Sequence, residues 1–186
     1  MLELTELETV LETISFAARA HDGHKRKDHR TPYIAHPFRV CFILQNVFGV
    51  GGDVLLAALL HDTIEDTRTD YDDLLKVVSP EVADQVATLS KDTRKIEDVR
   101  EREYQASLVS SPAPIKIAKF ADILDNLLDC KHLPDKSRAS FLEEAQFMVD
   151  ALIEAGIAED EGDKYALPFE RACEVVQNVL RRLRQT

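Results

Sequence analysis

An apolar run that ends abruptly in ionisable groups constrains this chain most. Residues Val54-Leu55-Leu56-Ala57-Ala58-Leu59-Leu60 carry no polar side chain, and the six that follow include His61, Asp62, Glu65 and Asp66. Apolar periodicity alone would also allow a buried strand. The leucine and alanine content, with little β-branching, favours a buried helix capped by Asp53 and running to about Asp66. On such a helix His61 and Glu65 stand at i, i+4, as do Asp62 and Asp66, so an imidazole and three carboxylates gather at one end. Crowded carboxylates repel one another unless a cation sits among them. Taken alone, the segment also fits a solvated helix terminus.

Helical signals dominate the rest. Thr5 with Glu8 has the form of a capping box, and Leu7, Val10, Leu11, Ile14 and Ala17 recur at helical spacing. Residues 23–32 are polar and lose that period, which predicts a loop. Pro37 suits a first helical turn, with Val40, Ile43, Leu44 and Val47 continuing the helix until Gly49, Gly51 and Gly52 break it. A short helix over 71–77 precedes one that starts at Ser79-Pro80-Glu81 and ends near Leu89. Residues 91–102 read as part loop, part helix start. Ser111-Pro112-Ala113-Pro114 opens an amphipathic stripe of Ile115, Ala118, Ala121 and Leu124/Leu128, which Leu133-Pro134-Asp135 ends. Phe141, Ala145, Met148 and Leu152 mark the next helix. An acidic connector over 156–166 leads to a last one with Phe169, Ala172, Val176, Leu180 and Leu183. The expectation is an all-α fold of about eight to ten helices. It forms one domain over 1–186, with a motif core at about 16–129 and C-terminal helices over 137–186.

A chain of 186 residues is about one domain long, and buries enough surface to need no disulfide or metal for its core. Cys41, Cys130 and Cys173 form no Cys-x-x-Cys pair, so reduced thiols in a cytoplasmic protein are the simplest expectation. Met1-Leu2-Glu3-Leu4-Thr5 lacks a signal peptide's basic and apolar segments. The apolar run of seven residues is far below the roughly 20 that a membrane span needs. A net charge of −11 argues against general binding to nucleic acid or anionic lipid. An anionic substrate must therefore meet a local positive patch.

Two further segments carry candidate ligands. Pro32-Tyr33-Ile34-Ala35-His36-Pro37 sets an imidazole before a proline, which biases it away from the α region; alone, His36 also fits a hydrogen-bonded turn histidine. Lys119-Phe120-Ala121-Asp122-Ile123-Leu124-Asp125-Asn126 puts Asp122 and Asn126 on one helix face. Asp122 follows apolar residues, where a carboxylate needs a cation or a lysine. Two imidazoles and two carboxylates suit Mn²⁺, Fe²⁺ or Zn²⁺ better than Ca²⁺. An ion accepting more than four donors keeps room for water and a substrate oxygen, which fits phosphorus–oxygen cleavage. Lys25-Arg26-Lys27 with Arg30, flanked by His21, His24 and His29, is the densest positive stretch. It fits a polyphosphate grip or a solvated loop. Lys91, Arg94 and Lys95 fit solvated surface better than a second phosphate patch, and Lys116, Lys119 and His132 read most simply as surface residues.

Taken together, Pro32-Tyr33-Ile34-x-His36-Pro37, Leu60-His61-Asp62-x-x-Glu65-Asp66-Thr67 and Lys119-x-Ala121-Asp122-x-x-x-Asn126 resemble the hydrolase domain of the RelA/SpoT alarmone proteins. In size the chain is similar to the small stand-alone, Mesh1-like hydrolases of the HD type. The resemblance implies that His36, His61, Asp62 and Asp122 bind one divalent ion, Mn²⁺ foremost, and that Glu65 and Asp66 orient or activate the attacking water. It implies that Arg26 and Lys27 lie against the nucleotide, with Lys25 beside them, and that Asn126 contacts its sugar. The implied reaction removes the 3′-pyrophosphate of ppGpp or pppGpp, and the chain is too short for the synthetase domain of the long relatives. It departs from the family pattern at Ile123, Asp125 and Leu128, where a basic residue, an aromatic or histidine, and an arginine are common. Asp125 is expected to add negative charge near the nucleotide pocket. These departures leave open an HD-type phosphohydrolase for an adenine alarmone, another 3′-phosphorylated nucleotide or NADPH. A nucleotide sensor without turnover would have no need of Glu65 and Asp66.

Overall fold

Proline and glycine divide the chain into helices close to where the residue pattern does. The computed structural model describes residues 4–185; residues 1–3, where the N-terminal segment begins, and residue 186 lie outside the described residues. The helices are α1 (Leu4–Ala20), α2 (Ala35–Phe42, widening into a π-helical segment Ile43–Phe48), α3 (Asp53–Leu60), α4 (Thr63–Asp66) and α5 (Tyr71–Leu74). They continue as α6 (Pro80–Leu89), α7 (Glu97–Val109), α8 (Ala113–Asp129), α9 (Asp135–Ala155) and α10 (Gly162–Leu183). The fold is all-α. Among the described residues β pairing is confined to the isolated bridge between Lys25 and Pro32, and no helix is long and apolar enough to cross a membrane.

Helix α8 organises the rest. Twelve of its seventeen residues are buried, so it is enclosed on most sides rather than amphipathic. It touches α2, α3, α6, α7, α9 and α10. Its first turn is tied by charge to the segments around the C-terminal helices. Both carboxylate oxygens of Glu161 accept from the Ala113 amide at 3.0 and 3.1 Å, capping the N-terminus of α8. Lys116 is buried, not on the surface as expected. It donates to the Gly156 carbonyl at 2.7 Å, where α9 ends, as a cation at a helix C-terminus should.

Several boundaries differ from the sequence pattern. Thr5 lies inside α1, which already runs at Leu4, so it is not the cap. Gly52 caps α3 with φ 86°, ψ −154°, a conformation glycine adopts without cost; Asp53 becomes the first helical residue, where its charge still favours the helix dipole. The helix expected to reach Asp66 breaks at His61 and resumes at Thr63. The helix over 71–77 shortens to Tyr71–Leu74. The connector over 156–166 is partly helical: α10 begins at Gly162, and Tyr165 and Ile157 pack on the core. Pro168 then sits inside α10 and removes one of its backbone bonds.

Phe120 is fully buried and meets Phe169 edge-on, with ring centroids 5.7 Å apart, joining α8 to α10. Phe120→Ala is expected to destabilise the fold by about 3–5 kcal/mol, read from urea unfolding. A loss below about 1 kcal/mol would show that the site collapses and that α8 is not the organising core.

Candidate metal centre

The break after α3 creates the centre. Thr63 is fully buried and donates to the Leu60 carbonyl at 2.7 Å, which holds the turn between α3 and α4. Asp62 precedes α4 but makes no capping bond, so its carboxylate is free to face inward. His36 lies in the first turn of α2, just before Pro37. His36 is therefore helical despite the bias against that conformation before a proline, and Pro37 is accommodated because a first turn asks for no amide hydrogen at its position.

The four expected ligands converge. His36 Nε2 and His61 Nε2 are 3.2 Å apart. Asp62 Oδ2 is 3.0 Å from the His61 nitrogen and 3.5 Å from that of His36. Asp122 Oδ1 is 3.2 Å from His36 Nε2 and 3.7 Å from His61 Nε2. Donor atoms of His36, His61 and Asp62 all lie within 4.8 Å of one another.

The tautomers follow from the partners behind the rings. His61 Nδ1 is 2.7 Å from the Ala58 carbonyl, which can only accept; His36 Nδ1 is 2.6 Å from Asp125 Oδ2. Each Nδ1 therefore carries the hydrogen, and in the neutral rings both Nε2 lone pairs face one point. Two imidazole nitrogens and two carboxylate oxygens so placed suit a divalent cation. Proton affinities show the same pressure. Burial lowers that of His61, but Asp62 and Asp122 outweigh it and the net shift is well upward. Burial opposes ionisation of Asp62 and Asp122, yet His61 on the first, and Lys119 and His36 on the second, hold both below the usual range.

A second layer holds these ligands, and the sequence reading missed most of it. The Tyr33 hydroxyl donates to Asp62 Oδ2 at 2.7 Å. Lys119, expected at the surface, is largely buried and donates to Asp122 Oδ2 at 2.8 Å, while Asn126 Nδ2 donates to Oδ1 at 2.6 Å. Asp125 does not charge a nucleotide pocket. It is buried against His36, Arg39 and Arg26; burial works against its ionisation, but His36 and Arg39 hold its carboxyl below the ordinary value. Spacing in the sequence held a signal for Lys119 and Arg39, which stand three residues from Asp122 and His36 on their helices.

Glu65 and Asp66 flank the centre on α4. Glu65 Oε2 accepts from the Lys91 amide at 2.8 Å. Burial first, and then neighbouring carboxylates, raise the proton affinity of both side chains. The basic stretch separates. Lys25 and Arg30 are exposed. Arg26 is buried and engaged by Asp129 at 2.9 Å and Asn126 at 3.1 Å. Lys27 reaches Asn126 Oδ1 at 3.4 Å and lies over the Phe141 ring. Asn126 and Phe141 border a cavity of about 1010 Å³ between α7, α8 and α9, with Asp122, Lys119, Lys91 and Tyr104 also on its wall. Arg94 and Lys95 pair outward with Asp92 and Glu103. His21 is buried against the Tyr33 ring at 4.8 Å with neither ring nitrogen bonded; burial pushes it down to about 4, so it is neutral.

Residues 13–146 match the family model described as HD domain. The human guanosine-3′,5′-bis(diphosphate) 3′-pyrophosphohydrolase MESH1 is 42% identical over 129 residues, spanning 67% of this chain and 71% of that protein. The Danio rerio MESH1 is 38% identical over 122 residues, spanning 64% and 68%. A solved structure described as a metazoan ortholog of SpoT that hydrolyzes ppGpp shares 28% identity at a TM-score of 0.76, covering 91% of this chain and 94% of that one. With its paired imidazoles and aspartates carried on α2, α3–α4 and α8, the chain belongs to the HD-domain family, in the group that includes the MESH1 proteins.

Proposed function

We propose that this chain removes the 3′-pyrophosphate of guanosine alarmones, converting ppGpp or pppGpp to GDP or GTP and pyrophosphate. His36, His61, Asp62 and Asp122 hold one divalent ion, Mn²⁺ foremost, and residues 1–186 act as one catalytic domain in the cytoplasm. One observation carries this function: two Nε2 atoms only 3.2 Å apart, with carboxylates of Asp62 and Asp122 beside them. The names of the MESH1 relatives support the substrate, and three free cysteines support a reducing compartment. The partner is a small nucleotide rather than nucleic acid or membrane, in line with the charge of −11.

The residues divide the work. A bound divalent ion supplies positive charge that polarises a phosphoryl oxygen and acidifies water. Glu65 and Asp66, whose burial raises their proton affinity, orient the attacking water and take its proton. Tyr33 and Lys119 keep the two ligand carboxylates turned inward. The cavity bordered by Asn126 and Phe141, both in contact with Lys27, receives the sugar and base.

Purified protein with Mn²⁺ and ppGpp is expected to release pyrophosphate and GDP in equal amounts, separated by anion exchange. Release of orthophosphate instead would make it a phosphatase of another substrate class. Asp62→Ala should reduce turnover to background. Glu65→Gln, nearly isosteric and still able to accept from Lys91, should lower kcat by about 10²–10⁴-fold; unchanged kcat would remove Glu65 from the chemistry. Chelation is expected to abolish turnover while far-ultraviolet circular dichroism keeps most of its helical signal, because the core is apolar and separate from the ligands. Complete unfolding on chelation would contradict that separation.

A further inference from the structure

His36 and His61 turn the same ring nitrogen to the centre but are held from behind by different groups. Behind His61 stands a neutral carbonyl, that of Ala58 at 2.7 Å. Behind His36 stands a carboxylate, with Asp125 Oδ2 2.6 Å from Nδ1. Asp125 is only 3% exposed, and donors from two directions fix it. Arg39 grips it as a fork, Nε to Oδ1 at 2.6 Å and Nη2 to Oδ2 at 3.1 Å. Arg26 Nη2 approaches Oδ2 at 3.4 Å from the 21–34 loop. His36 and Arg39 are one turn apart on α2, and Asp122 and Asp125 one turn apart on α8. The ligand-bearing faces of both helices therefore meet at one carboxylate.

We propose that Asp125 is a positioning residue of the metal centre, fixing His36 as its Nδ1–H tautomer and strengthening the Nε2 donor by its negative charge. The inference rests on His36 being a ligand, as proposed above. A neutral acceptor such as the Ala58 carbonyl sets a tautomer and a ring plane; a carboxylate does both and also pushes electron density onto the coordinating nitrogen. The two imidazoles are thus unequal, with His36 the stronger donor. A purely structural role, tying α2 to α8 through Arg39, would leave the ion's affinity untouched.

The experiment compares the metal-stripped full chain with Asp125→Asn and Asp125→Ala, each titrated with Mn²⁺ by calorimetry and melted without metal. Asparagine keeps an acceptor of nearly the same shape facing Nδ1 but loses the charge. The Mn²⁺ dissociation constant is expected to rise about tenfold in Asp125→Asn and towards the upper end of the roughly 10–100-fold range in Asp125→Ala, with helicity retained. Should Asp125→Ala fail to fold, the asparagine variant decides. Wild-type Mn²⁺ affinity in the folded variants, with only a lower melting temperature, overturns the proposal and leaves Asp125 a tie between helices. If the wild-type chain itself binds no Mn²⁺, or binds it as well after His36→Ala, the ligand assignment fails and this inference with it. Substrate identity does not enter, so failure with ppGpp is a separate result.

Discussion

His36 Nε2 and His61 Nε2 lie 3.2 Å apart with two carboxylates alongside, a crowding of electron-rich atoms that calls for positive charge and raises the proton affinity of His61 well above its ordinary value. The helices hold them together nonetheless. Thr63 locks the turn that aims His61 and Asp62, α8 is enclosed on most sides, and α2 packs against both α3 and α8. The apolar core does this without help from the ligands, since the buried hydrophobic residues form one continuous cluster and their burial is the dominant stabilising term in folding. The rigid scaffold therefore imposes the crowding, and the crowding creates affinity for a cation.

The carboxylates that α8 brings to the centre are each met by a cation of the chain. Lys119 faces Asp122, Arg39 faces Asp125, and Arg26 lies between Asp125 and Asp129. Arg39 is 42% exposed and its pair is worth less; the Lys119 and Arg26 pairs are buried, and removing one partner there would strand the other's charge at a cost of about 3–5 kcal/mol. This explains why Arg26 is turned away from solvent although its neighbours Lys25 and Lys27 are not. The bridge between Lys25 and Pro32 extends the backbone locally, and successive side chains of an extended segment point to opposite sides.

The four side chains that converge could be found in the sequence because each sits in a short local pattern: a helix end after an apolar run, a histidine before a proline, an aspartate at i−4 from an asparagine. Their supports could not. Asp125 meets His36 across 89 residues and Arg39 across 86, and Tyr33 meets Asp62 across 29. Such pairs depend on how one helix is rotated against another, which side-chain periodicity does not specify. For the same reason Lys119 read as surface: the stripe pattern of α8 predicts one exposed face, but α7 and α9 cover that face as well. The helices themselves were legible nearly throughout, and the errors fell at their ends, where Gly52 displaced Asp53 as cap and α10 started before its proline.

An acidic chain can still receive a polyphosphate. At physiological salt, charges farther than about 8 Å are largely screened, so the net charge of −11 governs long-range encounter rather than the bound state. Near Asp122 the cavity wall presents Lys91 and Lys119, both within 5.4 Å of the Tyr104 ring, while Lys27 reaches Asn126, a residue of that wall. Glu97, Asp98, Glu101 and Glu144 line other parts of the same wall, together with Arg100 and Arg102. Lys119 already serves Asp122, and Lys91 is shared with Glu101 at 2.8 Å. A phosphate entering there must therefore compete with carboxylates for its cations. On the proposed function, an ion held between His36 and His61 would be the largest concentration of positive charge at the site, which ties recognition of the phosphate to the crowding of donor atoms there.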